Sequence, residues 1–133
     1  MKILIITQYF PPETGAPQNR LFELALKLKS LGADVEILTA FPNYPKYRVF
    51  EEYQGKWYQQ ENIAGLKVHR SWIYAVPGKS LRNRLLNYLS FTLSALWTGL
   101  FKIEKPDLII CESPPLFLGW TAVWLKRFHR ARL

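Results

Sequence analysis

Hydrophobic positions along the chain form short continuous runs that alternate with longer amphipathic stretches. The first run, Lys2 to Thr7, is rich in isoleucine and lacks polar alternation, which is typical of a strand buried on both faces. Gln8 to Pro17 holds three prolines and a glycine, so we expect a loop. From Gln18 the leucines recur near helical spacing until Gly32, which predicts a helix. A second predicted strand, Asp34 to Ala40, completes a unit of the size of a right-handed parallel crossover.

The same alternation continues through the rest of the chain. Phe41 to Gly65 has no clean period and is expected to be a long excursion or a small irregular subdomain. Further strands are predicted at Leu66 to Ile73 and Asp107 to Cys111, and further helices at Leu81 to Lys102 and Leu116 to Arg127. This order predicts a single α/β domain with a Rossmann-like, doubly wound parallel sheet. Folds of this class bind ligands at the carboxyl ends of their strands.

Charge is distributed unevenly along the chain. The formal net charge is +8, yet no carboxylate lies between Asn62 and Ile103 or after Glu112. A surface of one sign suits anionic lipid headgroups, diphosphates or nucleic acid, and the alternative is a solvated basic face. Because no recognition helix or RNA-binding motif accompanies the charge, we expect no nucleic-acid partner.

Two observations bear on location. Cys111 is the single cysteine and cannot form an internal disulfide, and the apolar run at the start is too short for a secretory signal, so we expect a cytoplasmic protein. Leu85 to Phe101 is uncharged and flanked by basic residues, but polar residues interrupt it and it is short for a membrane span. It is either a buried crossover helix or, together with Pro114 to Phe128, a peripheral contact with an anionic membrane surface, on the inner face of the cytoplasmic membrane.

Several cofactor motifs are incomplete. The loop before the first helix has one glycine and therefore lacks the dinucleotide pattern GxGxxG. Gly78, Lys79 and Ser80 imitate the end of a P-loop, but Ile73 stands where that motif needs a glycine. The two histidines, His69 and His129, have no partners at metal-ligand spacing; we expect the first to be structural and the second solvated. No cofactor and no metal are expected.

Two places on the predicted carboxyl edge carry candidate chemistry. Gly15 and Ala16 precede the first helix, whose backbone amides could hold a phosphate or sugar oxygen; the alternative is an ordinary turn. Glu112 and Ser113 follow the last predicted strand. A carboxylate there could act as a base or bind a sugar hydroxyl, and the alternative is a capping or solvated residue.

Three blocks of sequence are similar to a known family. They are YFPPETGAPQNR from Tyr9 to Arg20, LTAFPNYPKYRVFEEYQGKW from Leu38 to Trp57, and PDLIICESPPLFLGW from Pro106 to Trp120. Together they resemble the amino-terminal domain of bacterial family 4 glycosyltransferases of the WbuB and colanic acid type, which build surface polysaccharides. The resemblance implies one half of a GT-B fold and metal-independent transfer from a nucleotide-sugar donor to a glycan or lipid-linked acceptor.

The resemblance also implies site residues. It places the Gly15 loop opposite the donor diphosphate or the acceptor, with Arg20 nearby, a short segment after the second strand as acceptor wall, and Glu112 with Ser113 at the cleft edge. Many relatives have a histidine near that edge where this chain has none, so the resemblance does not identify a catalytic base, and Glu112 is a candidate from its position alone. The implied substrate-binding residues are Thr14, Gly15, Ala16, Arg20, Pro42, Asn43, Tyr44 and Ser113.

The domain organisation of the family affects what the resemblance implies for residues 1–133. The family continues through another strand and a carboxyl-terminal domain that holds the nucleotide sugar. We therefore expect residues 1–133 to be the acceptor-side domain, incomplete at its carboxyl-terminal end and inactive unless a separate chain supplies the second domain. The alternative is a non-catalytic module, derived from that domain, that binds a membrane or a partner.

Overall fold

A computed structural model describes residues 1–13, 16–43, 47–78, 80–112 and 117–133, and of residues 16–18 the backbone alone. The strands are β1 (Lys2–Ile6), β2 (Asp34–Ala40), β3 (Tyr58–Ile63), β4 (Leu66–Ser71) and β5 (Leu108–Cys111). The helices are α1 (Ala16–Ser30), α2 (Leu81–Phe101) and α3 (Leu118–His129), with a single 3-10 turn at Glu51–Tyr53. The predicted helices and strands are all present, with boundaries that differ by a few residues.

The strands form one sheet in the order β3-β4-β2-β1-β5. β4, β2, β1 and β5 run parallel, and β3 pairs antiparallel with β4 at one edge. Apolar side chains alternate along β1, so that Ile3 and Ile5 pack in the cluster that includes α1, whereas Leu4 and Ile6 pack in the cluster beneath α2 and α3. Helices on both faces confirm the predicted doubly wound α/β fold.

Strand β3 was not predicted. Phe41 to Gly65 is expected from the sequence to be a long excursion or a small irregular subdomain, but Tyr58–Ile63 is an edge strand. Its sequence, YQQENI, is mostly polar because an edge strand buries little, and hydrophobic alternation therefore does not reveal it. Ala64 and Gly65, both with positive φ, form the tight turn into β4, which is the geometry that two-residue hairpins favour.

The two helices on one face pack closely. Gly99 of α2 lies against Leu125 of α3, so near that an added Cβ would sit 2.5 Å from a leucine methyl carbon. His129 is buried at the end of α3, where its Nε2 lies 2.9 Å from the Gly99 carbonyl oxygen. The expectation that His129 is solvated was wrong, because α3 extends two residues beyond its predicted end and carries the ring against α2.

The chain returns to the sheet after α3. Arg132 donates its N–H to the Asp107 carbonyl and accepts from the Ile109 N–H, at 3.0 and 2.7 Å. These two bonds form an isolated parallel bridge beside β5.

Candidate functional site

The carboxyl ends of the four parallel strands meet at one edge of the sheet. β1 ends at Ile6, β2 at Ala40, β4 at Ser71 and β5 at Cys111. We call this the carboxyl edge. In doubly wound sheets the loops at this edge form the ligand site, and the amino terminus of α1 lies here because α1 follows β1.

Glu112 is fixed at the carboxyl edge by three contacts. Its N–H donates to the Ile6 carbonyl at 3.0 Å, which extends the pairing of β5 with β1 by one residue. One carboxylate oxygen accepts from the Thr7 hydroxyl at 2.8 Å, and the other accepts from Arg20 Nη2 at 2.7 Å. The carboxylate is mostly buried, whereas 72% of the Arg20 side chain is exposed. Glu112 therefore holds the Arg20 guanidinium at the first turns of α1 with its outer surface open to a ligand.

This geometry favours a positioning role for Glu112. A general base needs an oxygen that can reach the proton it removes, and both oxygens of this carboxylate already have donors. Arg20 keeps donors that could bind a phosphate or carboxylate. A catalytic role for Glu112 stays a prediction.

Hydrogen bonds between buried groups hold the loop after β2 in place. Pro42 and Asn43 are both buried. The Asn43 N–H donates to a Glu13 carboxylate oxygen at 3.0 Å, and its side-chain amide donates to the Phe41 carbonyl at 2.9 Å. Glu13 also accepts the Phe10 N–H, so this buried carboxylate joins the loops after β1 and β2. Neither Pro42 nor Asn43 presents an exposed side chain to a ligand, and their role in an acceptor wall stays a prediction.

Arg70 is a charged residue at this edge that is not among the predicted site residues. It is fully buried near the end of β4, where Nη1 donates to the Ala40 carbonyl at 3.1 Å and Nη2 donates to the Pro11 carbonyl. Its Nε lies 2.8 Å from a Glu61 carboxylate oxygen of β3. One guanidinium thus links the loop after β1 and the last residue of β2 to the edge strand. In the sequence, the indication of this buried charge is that Arg70 stands within Leu66 to Ile73, a stretch that predicts a strand.

Polar side chains also join the edge to α2. Gln8 donates to Asn87 at 2.7 Å, and Asn87 donates to the Tyr74 carbonyl at 2.9 Å. Burial is the main factor that raises the pKa of the neighbouring Tyr9 hydroxyl, with Tyr88 and Tyr47 adding to it, so Tyr9 is neutral at physiological pH. The loop after β1 is therefore connected to the helix that follows β4.

The remaining predicted residues fall in different places. Ala16 is the first residue of α1, and its side chain is outside what the structure describes. Thr14, Gly15, Tyr44 and Ser113 lie outside the described residues.

The thiol of Cys111 is not activated as a nucleophile. Burial, with a smaller contribution from Glu112, raises the pKa of the Cys111 thiol to about 11, so it is protonated at neutral pH. Among the residues that the structure describes, no group of three or more His, Cys, Asp or Glu side chains could hold a metal ion. Within the same residues, no helix is long and apolar enough to cross a membrane.

Comparison with known proteins gives the family. Residues 15–133 match the model of the glycosyl transferase 4-like domain. The chain belongs to this family. This match confirms the resemblance to family 4 glycosyltransferases, and both Arg20 and Glu112 lie within the matched residues.

A curated relative and a solved structure agree with this assignment. The chain is 33% identical over 133 residues to WcaI of Escherichia coli (strain K12), whose name describes a glycosyl transferase of colanic acid biosynthesis. The match covers 99% of this chain and 32% of WcaI, so the chain spans about a third of that relative. The catalytic domain of starch synthase IV from Arabidopsis thaliana, bound to ADP and acarbose, superposes with a TM-score of 0.62 at 18% identity. That match covers 98% of this chain and 32% of the other, and it shows that the two share a fold.

Proposed function

We propose that this glycosyl transferase 4-like domain forms the acceptor side of an enzyme of surface polysaccharide biosynthesis. The enzyme would move a sugar from a nucleotide-sugar donor to a glycan or lipid-linked acceptor. The observation that carries the proposal is the Arg20–Glu112 pair, because it holds a guanidinium in place at the edge where doubly wound sheets bind ligands. The name of WcaI, a relative at 33% identity, supports the polysaccharide role.

We propose further that residues 1–133 do not transfer sugar by themselves. The diphosphate that leaves the donor must be neutralised in the transition state, which needs donors arranged around it. In the described part of the carboxyl edge, Arg20 is the cation fixed by an ion pair to Glu112, and one guanidinium is a small share of such a site. A second domain, in the same chain or in a separate one, would supply the rest.

The outer surfaces of α2 and α3 support a peripheral membrane location. Large apolar side chains on both helices are exposed, and neither helix contains an acidic residue. Basic residues accompany them, including Arg82 and Arg84 in the first turn of α2 and Lys126 and Arg127 in the last turn of α3. An apolar surface with cations suits an anionic membrane. The exposed apolar residues are Leu81, Leu85, Leu86, Leu89, Leu93, Phe101, Trp120, Val123, Trp124 and Phe128.

The transfer proposal is tested by joining residues 1–133 to the part of WcaI that follows the matched region. We expect no transfer from labelled nucleotide sugars by residues 1–133 alone, and transfer by the joined protein to a lipid-linked acceptor. Binding of a labelled nucleotide sugar to the joined protein, but not to the chain alone, would show that the second domain has folded. Transfer or tight nucleotide-sugar binding by the chain alone would contradict the proposal.

The membrane proposal is tested by co-sedimentation with anionic and neutral liposomes at low and high salt. We expect binding to anionic liposomes that weakens as salt screens the charges. Replacing Leu93 and Trp124 by glutamine should reduce it, whereas replacing Leu24 and Leu31, which are exposed on and just after α1, should not. Equal loss in both pairs would contradict docking through α2 and α3.

The same experiments decide the second candidate function, a non-catalytic module that binds a membrane or a partner. Lipid binding by residues 1–133, together with no transfer by a joined protein that still binds nucleotide sugar, would favour that module.

A further inference from the structure

A cavity of about 610 Å³ lies beside the carboxyl edge, and the predicted site residues that the structure describes are not among those that line it. It is bounded by residues that follow β2 and by residues 72–76, which follow β4. Its volume is within the range of small-molecule binding sites, roughly 300–1,000 Å³. The loop after β2 connects it to the candidate site, because Asn43, which is bonded to Glu13, accepts the backbone N–H of Arg48.

The lining of this cavity is largely aromatic and apolar. Phe41 and Ile73 are buried residues of the core that reach it, and the ring of Tyr53 packs on Phe41 with centroids 5.7 Å apart. Trp57 and Trp72 stack at 5.7 Å with an angle of 21° between their planes, and both indoles remain more than a third exposed. Two stacked, exposed indoles beside an apolar wall offer a surface that gains free energy when an apolar ligand covers it.

The charged residues of the lining are all basic. They are Arg48 and Lys56, both exposed, and none of the lining residues that the structure describes is acidic. Lys56 is held by neutral oxygens, the Gln59 amide oxygen at 2.7 Å and the Glu52 carbonyl at 3.4 Å. The Arg48 guanidinium makes no ion pair or hydrogen bond with a described residue. The positive charge of the cavity is therefore not neutralised by any carboxylate that lines it.

This combination disfavours a neutral sugar as the ligand. Sugar hydroxyls need hydrogen-bond acceptors as well as donors, and carboxylates and carboxamides are the usual acceptors. The described lining has no carboxylate and one carboxamide, that of Gln54, whose nitrogen donates to the Val49 carbonyl at 2.9 Å, so its oxygen is the one carboxamide acceptor that these residues offer. An apolar chain that ends in a phosphate fits both the aromatic wall and the two cations.

We propose that this cavity binds the phosphate-bearing end of a single-chain lipid, with the chain against Trp57 and Trp72 and the phosphate at Arg48. The inference rests on the proposed function, because a lipid-linked acceptor has this chemistry, and it assigns the lipid phosphate to the cavity and not to the Arg20–Glu112 pair.

Binding is measured with three probes: farnesyl diphosphate below its micelle concentration, farnesol, and inorganic diphosphate. Calorimetry should show saturable binding of farnesyl diphosphate, at least tenfold weaker binding of farnesol, and no binding of inorganic diphosphate at comparable concentrations. Inorganic diphosphate that binds as tightly as farnesyl diphosphate would overturn the proposal, because the apolar wall would then contribute nothing.

Variants separate this cavity from the other apolar sites. Arg48→Gln should weaken farnesyl diphosphate binding about tenfold and leave farnesol unchanged. Val76→Trp, which places a bulky ring in the lining, should weaken both. The matched control is Arg127→Gln, since Arg127 lies with Trp124 and Phe128 in a separate groove of about 350 Å³ between α2 and α3. Loss of binding in Arg127→Gln with none in Arg48→Gln would move the ligand to that groove and overturn the proposal.

Two further readouts distinguish this proposal from the others. Arg48→Gln should leave binding to phosphatidylglycerol vesicles unchanged; a parallel loss would assign the cavity to membrane phospholipid instead. In the joined protein, Arg48→Gln should raise the KM for a lipid-linked acceptor and leave kcat unchanged. Transfer with an unaltered KM would overturn the cavity assignment while the proposed function stands. Farnesyl diphosphate binding that depends on Arg48, with no transfer by the joined protein, would support the cavity assignment and overturn the proposed function.

Discussion

Arg20 and Glu112 lie 92 positions apart in the sequence, and their side chains meet at 2.7 Å on the carboxyl edge of the sheet. Glu112 is anchored by Thr7 and by its own backbone, so the rigid partner is the carboxylate and the positioned partner is the guanidinium. Ion pairs with one exposed partner stabilise a fold by about 0–1 kcal/mol, which makes orientation of Arg20 the more important consequence of this contact.

The first prediction concerns the interdependence of this pair. In the joined protein, Arg20→Gln and Glu112→Gln should each lower the rate of transfer about tenfold or more, because each removes or misplaces the same guanidinium. The double variant should be no slower than the slower single one, since residues that act as a unit are not additive. Rates of transfer from labelled nucleotide sugar measure this.

Two controls accompany that prediction: the unfolding free energies of the single variants, and a substitution away from the candidate site. Both single variants should change the free energy of unfolding by less than about 1 kcal/mol. Lys27→Gln, a change of charge in the last turn of α1, should leave the rate of transfer unchanged. Multiplicative losses in the double variant would mean that Arg20 and Glu112 act independently.

The sequence predicted the parallel strands well but not the contacts between their loops. β1 is almost wholly buried and is a nearly continuous apolar run, whereas β3 is a polar edge strand with no such signal. The sequence and family resemblance placed Arg20 and Glu112 near the same cleft, yet their pairing depends on the order β2-β1-β5, which no local pattern contains. Arg70 was missed because a buried charge is recognised only through its partners in the fold.

The second prediction concerns Arg70. Arg70→Met should lower the free energy of unfolding by about 3–5 kcal/mol, because it removes the ion-pair partner of Glu61 and the guanidinium that donates to the carbonyls of Pro11 and Ala40. Denaturant unfolding of the chain measures this as a lower midpoint with an unchanged slope. The control is Arg82→Met at the exposed start of α2, which should cost less than about 0.5 kcal/mol. Equal, small effects in both variants would show that the buried guanidinium contributes no net stability.

The third prediction compares two glycines in the packed helices. Gly99→Ala should destabilise the chain by about 1–3 kcal/mol, because the new Cβ would lie 2.5 Å from a methyl carbon of the buried Leu125. Gly119→Ala in α3 has nothing within 4 Å of the new atom and should be neutral or stabilising, by up to about 1 kcal/mol, from helix propensity alone. Thermal unfolding of the two variants measures both. A Gly99→Ala variant as stable as Gly119→Ala would contradict the close α2–α3 contact.

The last prediction concerns the pH dependence of stability through Glu36, a buried residue of β2. The ring of His69 at 3.8 Å is the main cause that lowers the pKa of the Glu36 carboxyl; Lys67 at 3.3 Å adds to the effect, and burial opposes it. As the pH falls, a carboxyl whose pKa is lower in the folded state is protonated at a higher pH in the unfolded state than in the folded state. Its stabilising contribution is therefore complete above the unfolded pKa and disappears as the pH falls through the folded pKa.

Unfolding free energies of the chain and of Glu36→Gln, measured from pH 7 down to pH 3, test this dependence. At pH 7 the variant should be less stable by about 1 kcal/mol or more, because it leaves the buried His69 and the half-exposed Lys67 without the charge they face. That difference should shrink as the pH falls. Glu23→Gln, an exposed carboxylate on α1, should follow the unsubstituted chain at every pH. A constant difference between the chain and Glu36→Gln across this range would mean that the contact with His69 and Lys67 does not depend on the Glu36 charge.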